Sequence, residues 1–296
     1  MGELIQQNVS LQEYTTFKIG GNAQYFAEPA NLSEIKEVLA FAAEHGLSVR
    51  ILGGGANTLV SDEGCKGLVL RTSQLNHIRA EGEHIIAECG LSVDQLCDFA
   101  AEQGLSGTEF AAGLPGSIGG AVYMNARCYG SEFADIVESV RYMRLDQNTV
   151  QTLQHDEIGY AYKHSCFMEM SDILILDVTF RLHKGDIAAI RAQSQANRDD
   201  RQSKGQYDYP SAGCIFKNNY EIGIPAGKLI ENAGLKGVNV GGAKVYNRHA
   251  NFIVNEGNAT AADVRQLIRK IQQTLDGQGY HLEPEVRILD SEGREC

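Results

Sequence analysis

Apolar residues recur at helical spacing in three stretches of the chain. In "SEIKEVLAFAAEHG", Ile35, Val38, Leu39 and Ala42 fall on one face, with Ser33 as the expected N-cap and Gly46 as the stop. "SVDQLCDFAAEQG" repeats the design with Val93, Leu96, Cys97 and Ala100 and ends at Gly104; Cys97 therefore reads as a core residue. A third helix begins near Thr260 and uses Val264, Leu267, Ile268, Ile271 and Leu275. Strand-like runs are "VRIL" (49–52), "GLVL" (67–70), "HIIAE" (84–88), "VESVRYMRL" (137–145), "DILILDVTFRL" (172–182), "NFIV" (251–254) and "EVRIL" (285–289). Strands and helices mix without a regular strand–helix–strand beat, so the expected class is α+β. Residues 183–205 are polar and helical in composition, and read as a bridge from an N-terminal domain to a smaller C-terminal one.

Composition narrows the function. The 296 residues suit two domains, and no apolar stretch is long enough to cross a bilayer. A net charge of −12 speaks against wholesale nucleic-acid binding but leaves a small anionic ligand open, since a few local cations hold one phosphate. The opening "MGELIQQNVS" lacks the basic flank and apolar segment of a secretory signal, so a cytoplasmic protein is expected. Seven cysteines (Cys65, Cys89, Cys97, Cys128, Cys166, Cys214, Cys296) form no Cys-x-x-Cys pair. Free thiols fit better than a disulfide framework, and no metal site is expected.

Glycine is the informative excess, at 32 residues. The run "VRILGGGANTLV" leads a strand into Gly53, Gly54 and Gly55. "AAGLPGSIGGAVYMNA" sets Gly113, Gly116, Gly119 and Gly120 around Pro115 and Ser117, and "KIGGNA" is a fainter third cluster. Bare backbone N–H groups in such loops wrap phosphate oxygens, and the three clusters together point to a nucleotide-type ligand. None has the strand–GxGxxG–helix form of a dinucleotide fingerprint. "GIPAGKL" imitates a phosphate-binding loop but has too short a spacer, and Leu229 stands where Ser or Thr belongs. In "YPSAGCIFKN", Cys214 follows what reads as a tight turn; alone it is open to nucleophile, metal ligand, proton donor or packing.

Seven motifs then occur in a telling order: "TTFKIGG", "LGGGANTLVSDEGCKGLVL", "AGLPGSIGGAVYMNA", "SAGCIFKN", "AGKLIENAGLKG", "HANFIVN" and "LEPEVRIL". From about residue 14 to 290 the chain resembles the UDP-N-acetylenolpyruvoylglucosamine reductases, the MurB family of peptidoglycan synthesis, in its shorter class. The resemblance implies a two-lobed FAD-binding domain of the vanillyl-alcohol-oxidase type at 1–190 (lobes about 1–70 and 71–190) and a C-terminal α+β substrate domain at 191–296. It implies FAD and NADPH as cofactors, a small UDP-sugar as partner, no nucleic acid or membrane, and a monomer. In such enzymes flavin hydride goes to C3 of the enolpyruvyl group and C2 is then protonated.

The resemblance also assigns residues. FAD contacts fall on Gly53, Gly54, Gly55, Ala56, Asn57 and Thr58, and on Gly113, Ser117, Ile118, Gly119 and Gly120. The family's "YRxSxF" box reads "YKHSCF" here, so Lys163 takes the place of a catalytic arginine; it keeps the charge and loses the two-pronged grip on a carboxylate. The acid maps to Glu285, preferred by motif over Glu283, and the proton donor, usually serine, maps to Cys214. Substrate contacts are expected at Lys228, Asn218, Lys236 and His249. Further departures are Arg127 in "NARCYG", Tyr246 where serine is common, and Asn219 where proline is common. Two other readings stay open at this point: another FAD oxidoreductase of the same flavin-domain superfamily, and a non-catalytic relative decayed at Lys163 and Cys214.

Overall fold

The computed structural model describes residues 4–292, which pack as two compact units. One unit takes residues up to Ile5, Ala27–Gly54 and Val69–Asp200; the other takes Gln6–Phe26, Gly55–Leu68 and the chain from Arg201 onward. The division expected at 190/191 is one by function. Packing follows no single cut, because two N-terminal segments belong with the C-terminal part.

The first unit is built on a five-stranded sheet in the order Thr149–Gln154, Val137–Arg144, Ile173–Arg181, His84–Glu88, Ile78–Glu81, antiparallel throughout. Alternation decides its faces: Val178 and Phe180 are buried while Thr179 between them is not. Phe133 meets Phe180 and Phe110 edge-on, with ring centroids at 6.1 and 5.6 Å, filling the space beneath the sheet. The helix Val93–Glu102 starts at Ser92 with a full capping box and buries Val93, Leu96, Cys97 and Ala100. Cys97 is 0% exposed, and burial pushes its thiol up to about 12, so it is an apolar core group. The helix Leu32–Glu44 buries the expected four residues, but its N-cap is Asn31, whose side chain accepts the Glu34 N–H, and not Ser33.

The second unit holds a four-stranded antiparallel sheet, Ser211–Cys214, Phe252–Asn255, Ala243–Val245, Asn239–Val240. The helix Ala261–Asp276, capped by Thr260, lays Val264, Leu267, Ile268, Ile271 and Leu275 on this core. Each contributes about 1.5–3 kcal/mol by burial, and Leu267→Ala would leave a cavity costing about 2–5 kcal/mol. Arg287–Leu289 runs parallel to Thr58–Val60, which draws Gly55–Leu68 into this unit. Among the described residues no helix is long and apolar enough to cross a membrane. Cys296 lies outside the described residues.

Candidate active site

The first unit brings two of the glycine clusters together. The Gly54 N–H donates to Ser117 Oγ at 3.1 Å. A Cβ on Gly54 would lie 2.7 Å from the Gly116 Cα and 2.8 Å from the Ser117 nitrogen, and one on Gly53 would lie 2.5 Å from Ser117 Oγ. At Gly54 backbone therefore faces backbone, while Gly53 faces the Ser117 hydroxyl. The second loop is shaped by its own hydrogen bonds: Gly113 N–H to Asp94 Oδ1, Ile118 N–H to the Leu91 carbonyl and Gly119 N–H to the Cys89 carbonyl, each at 2.8 Å. Ile118 and Gly119 therefore hold the loop, with the Ile118 side chain in the core. The N–H groups of Gly53, Gly116 and Ser117 meet no protein acceptor among the described residues. A cradle of side-chain-free backbone with donors to spare fits a flat cofactor carrying a pyrophosphate.

The rest of the first cluster lies in the other unit and is engaged differently. The Gly55 carbonyl accepts the Thr16 N–H at 3.1 Å. Asn57 Nδ2 donates to the Glu285 carbonyl at 3.0 Å, its own carbonyl accepts the Arg287 N–H at 3.0 Å, and Thr58 opens the strand beside Arg287–Leu289. Asn57 and Thr58 thus tie down the segment that carries the candidate acid, Gly55 is tied to Thr16, and Ala56 is half-buried in the same turn. The faint cluster at Gly20 and Gly21 serves packing: a Cβ on Gly21 would lie 2.4 Å from the Asp62 carbonyl oxygen.

Lys163 sits in the first unit at the tip of a tight hairpin closed by reciprocal Ala161–His164 bonds of 3.1 Å, and its φ is +54°. Such a conformation in a residue with a side chain persists when its surroundings fix it. Asn125, 0% exposed, donates from Nδ2 to the Ala161 carbonyl, and buried Ser165 donates to the Tyr123 carbonyl. Both anchors fix the hairpin to the end of Ile118–Tyr123, the helix that follows the second glycine loop. Sequence reading missed both; the one available signal was that each is a polar residue inside a quoted motif. His164 pairs with Glu169 at 3.0 Å, and burial raises the Cys166 thiol above its ordinary range, so that thiol is not primed as a nucleophile.

Cys214 ends the strand Ser211–Cys214, opposite Phe252, and the expected tight turn is a bulge. Gly213 has a φ of +72° with open space around a Cβ, so backbone conformation calls for glycine there. The thiol packs against Tyr246, Phe252 and Val254. Glu285 stands on the neighbouring segment: its N–H donates to the Ile215 carbonyl at 2.7 Å, one residue along from Cys214. Glu283 instead meets Lys217 Nζ at 2.7 Å in an exposed ion pair.

The expected substrate residues lie in the same unit. Asn218 Oδ1 accepts the Ala226 N–H at 2.9 Å and so starts the helix Ala226–Asn232. Lys228 and Lys236 share the carboxylate of Glu231 at 3.2 and 2.7 Å; Lys236 first, then Lys228, hold that carboxyl below its ordinary range. His249 lies against Phe252 with ring centroids 4.4 Å apart and planes tilted by 49°, and its Nδ1 is buried without a partner among the described residues. Burial holds its pKa below the ordinary value, which keeps the imidazole neutral. Tyr246 and Arg248 both donate to Asp208 Oδ2, fastening the loop that leads into Ser211–Cys214.

Residues 23–153 match the family model of the FAD binding domain, and residues 205–289 match that of the UDP-N-acetylenolpyruvoylglucosamine reductase C-terminal domain. A UDP-N-acetylenolpyruvoylglucosamine reductase of Lactiplantibacillus plantarum is 39% identical over 96% of this chain and 93% of its own length. That of Caldicellulosiruptor saccharolyticus is 42% identical over 94% of this chain and 90% of its own. The crystal structure of the Thermus caldophilus UDP-N-acetylenolpyruvylglucosamine reductase superposes with a TM-score of 0.82 at 33% identity, covering 96% of this chain and 99% of that one.

Proposed function

The chain belongs to the UDP-N-acetylenolpyruvoylglucosamine reductase family, and on that footing we propose the part each site residue takes in the reaction. The enzyme reduces the enolpyruvyl group of UDP-N-acetylenolpyruvoylglucosamine to give UDP-N-acetylmuramate, using FAD and NADPH, in peptidoglycan precursor synthesis. FAD, when bound, supplies the hydride that NADPH has delivered. Gly53, Gly54, Gly113, Ser117, Ile118, Gly119 and Gly120 form or shape its cradle, and Gly55, Ala56, Asn57 and Thr58 are assigned to it as well. The C-terminal domain match at residues 205–289 favours this activity over other flavin oxidoreductases.

Reduction puts a hydride on substrate C3, so charge develops on the carboxylate-bearing carbon and C2 must gain a proton. Cys214 supplies that proton: a thiol is more acidic than a serine hydroxyl and yields its proton more readily. Glu285 is assigned as the acid beside the developing enolate, and Lys163 sets a positive charge against the substrate carboxylate. Lys228 and Lys236 meet the pyrophosphate, while Asn218 and His249 complete the substrate contacts. The observation that supports the pairing of Cys214 with Glu285 is the bond from the Glu285 N–H to the Ile215 carbonyl, which sets acid and thiol on adjacent backbone segments.

The test is NADPH oxidation by FAD-loaded protein. Turnover should require UDP-N-acetylenolpyruvoylglucosamine and yield a product with two added hydrogens; no substrate-dependent turnover would overturn the reading. We further assign a cytoplasmic monomer, with cofactor bound by residues 1–190 and substrate by residues 191–296. Light scattering on the purified holoprotein checks the oligomeric state.

A further inference from the structure

The polar helix Ile187–Ser203 reads in the sequence as a bridge, yet its later turns are bonded to the segment that carries the second glycine loop. Arg198 Nε and Nη2 donate to Asp94 Oδ1 at 2.9 and 2.7 Å, and Nη2 also reaches Asp98 Oδ1 at 2.5 Å. The same Asp94 oxygen accepts the Gly113 N–H at 2.8 Å. Beside this pair, Asn197 Nδ2 donates to the Glu109 carbonyl at 2.7 Å, and the Tyr129 hydroxyl donates to Asp200 Oδ2 at 2.7 Å. Ties at 197, 198 and 200 thus grip residues 109, 94 and 129, on either side of the loop Gly113–Gly120, all inside one unit.

The chemistry makes Arg198 the strongest of these ties. Asp94 and Asp98 are one turn apart on Val93–Glu102, so a single guanidinium fork spans both. Asp94 lies in the first turn, where the helix dipole favours a carboxylate. The Arg198 side chain is 24% exposed against 46% for Asp94 and 61% for Asp98, and it is the forked, charge-assisted geometry that sets this link above an ordinary surface ion pair.

We propose that Arg198 and Asp94 are positioning residues for FAD: the pair holds the Gly113 end of the loop in its binding shape before the cofactor arrives. Binding then need not order the loop, and affinity rises accordingly. The inference rests on the reading of Gly113–Gly120 as part of the FAD cradle.

The experiment is titration of apoprotein with FAD by flavin fluorescence, alongside thermal unfolding of the same apoprotein. Asp94→Ala and Arg198→Met should each weaken FAD binding by about tenfold, and the double variant no further than the weaker single one, because both break the same link. Arg198→Lys, with charge but no fork, should fall between, and Gln195→Ala on the same helix should bind as wild type does. Wild-type affinity in both single variants, penalties that add in full, or a fall in apoprotein stability with unchanged FAD affinity would each overturn the proposal. Failure of wild type to take up FAD would overturn the functional reading itself, a separate outcome.

Discussion

The side-chain amide of Asn125 donates to the carbonyl of Ala161 at 3.0 Å, joining the end of the helix Ile118–Tyr123 to the hairpin that presents Lys163. The other end of that amide accepts the Ala134 N–H at 2.9 Å, and the residue has a φ of +50°, a conformation asparagine tolerates better than most.

Asn125→Ala should therefore act twice. Two partly covered backbone groups lose their partner, which lowers stability by about 1–3 kcal/mol, measurable by urea unfolding. Turnover should fall further than FAD affinity does, because the hairpin loosens while the glycine loops keep their own bonds. Equal loss of both would mean that Asn125 is not specific to Lys163.

Gly54→Ala tests the cradle. Its new Cβ would collide with the Gly116 backbone, which no rotamer relieves. The apoprotein should fold and remain colourless when purified, and FAD titration should show at least tenfold weaker binding, as expected when a close backbone approach is lost. Wild-type affinity would remove Gly54 from the site.

Glu231 neutralises the two lysines assigned to the pyrophosphate. Glu231→Gln should tighten UDP binding severalfold at low salt, with the gain shrinking as salt is added. Calorimetric titration at two ionic strengths checks this, and weaker binding would show that the carboxylate orients the lysines more than it competes.

His249 gives a pH dependence. Its folded pKa lies below its ordinary value of 6.5 because the ring is buried, so the unfolded chain binds more protons between the two values. Stability from this source is complete above about pH 6.5 and is lost as pH falls through that range toward the folded pKa. The lowered carboxylates Asp208, Asp263 and Glu231 act only at more acid pH. His249→Gln should flatten the stability profile in the first window, followed by chemical unfolding at stepped pH.

Much of the scaffold was legible because one-sided burial imposes a period: Val264 to Leu275 and Val93 to Ala100 announce their helices, and His84–Glu88 its strand. Caps were less legible. Asn31 and Ser33 both suit the start of one helix, and the choice depends on which oxygen reaches the Glu34 N–H. Ile118–Tyr123 was hidden because a glycine-rich stretch shows no helical period. Periodicity also does not separate Glu285 from Glu283, two residues apart; the motif prefers Glu285, and Glu283 pairs with Lys217. The pairs farthest beyond sequence reading are tertiary, such as Arg198 with Asp94, 104 residues away.

Single-turnover reoxidation of reduced flavin by UDP-N-acetylenolpyruvoylglucosamine bears most directly on Cys214. With Cys214 as proton donor, Cys214→Ala should slow it by about 10²–10⁴-fold. Cys214→Ser, which keeps a hydroxyl donor at the same position, should restore much of the rate. Reoxidation in Cys214→Ala at the wild-type rate would contradict the assignment.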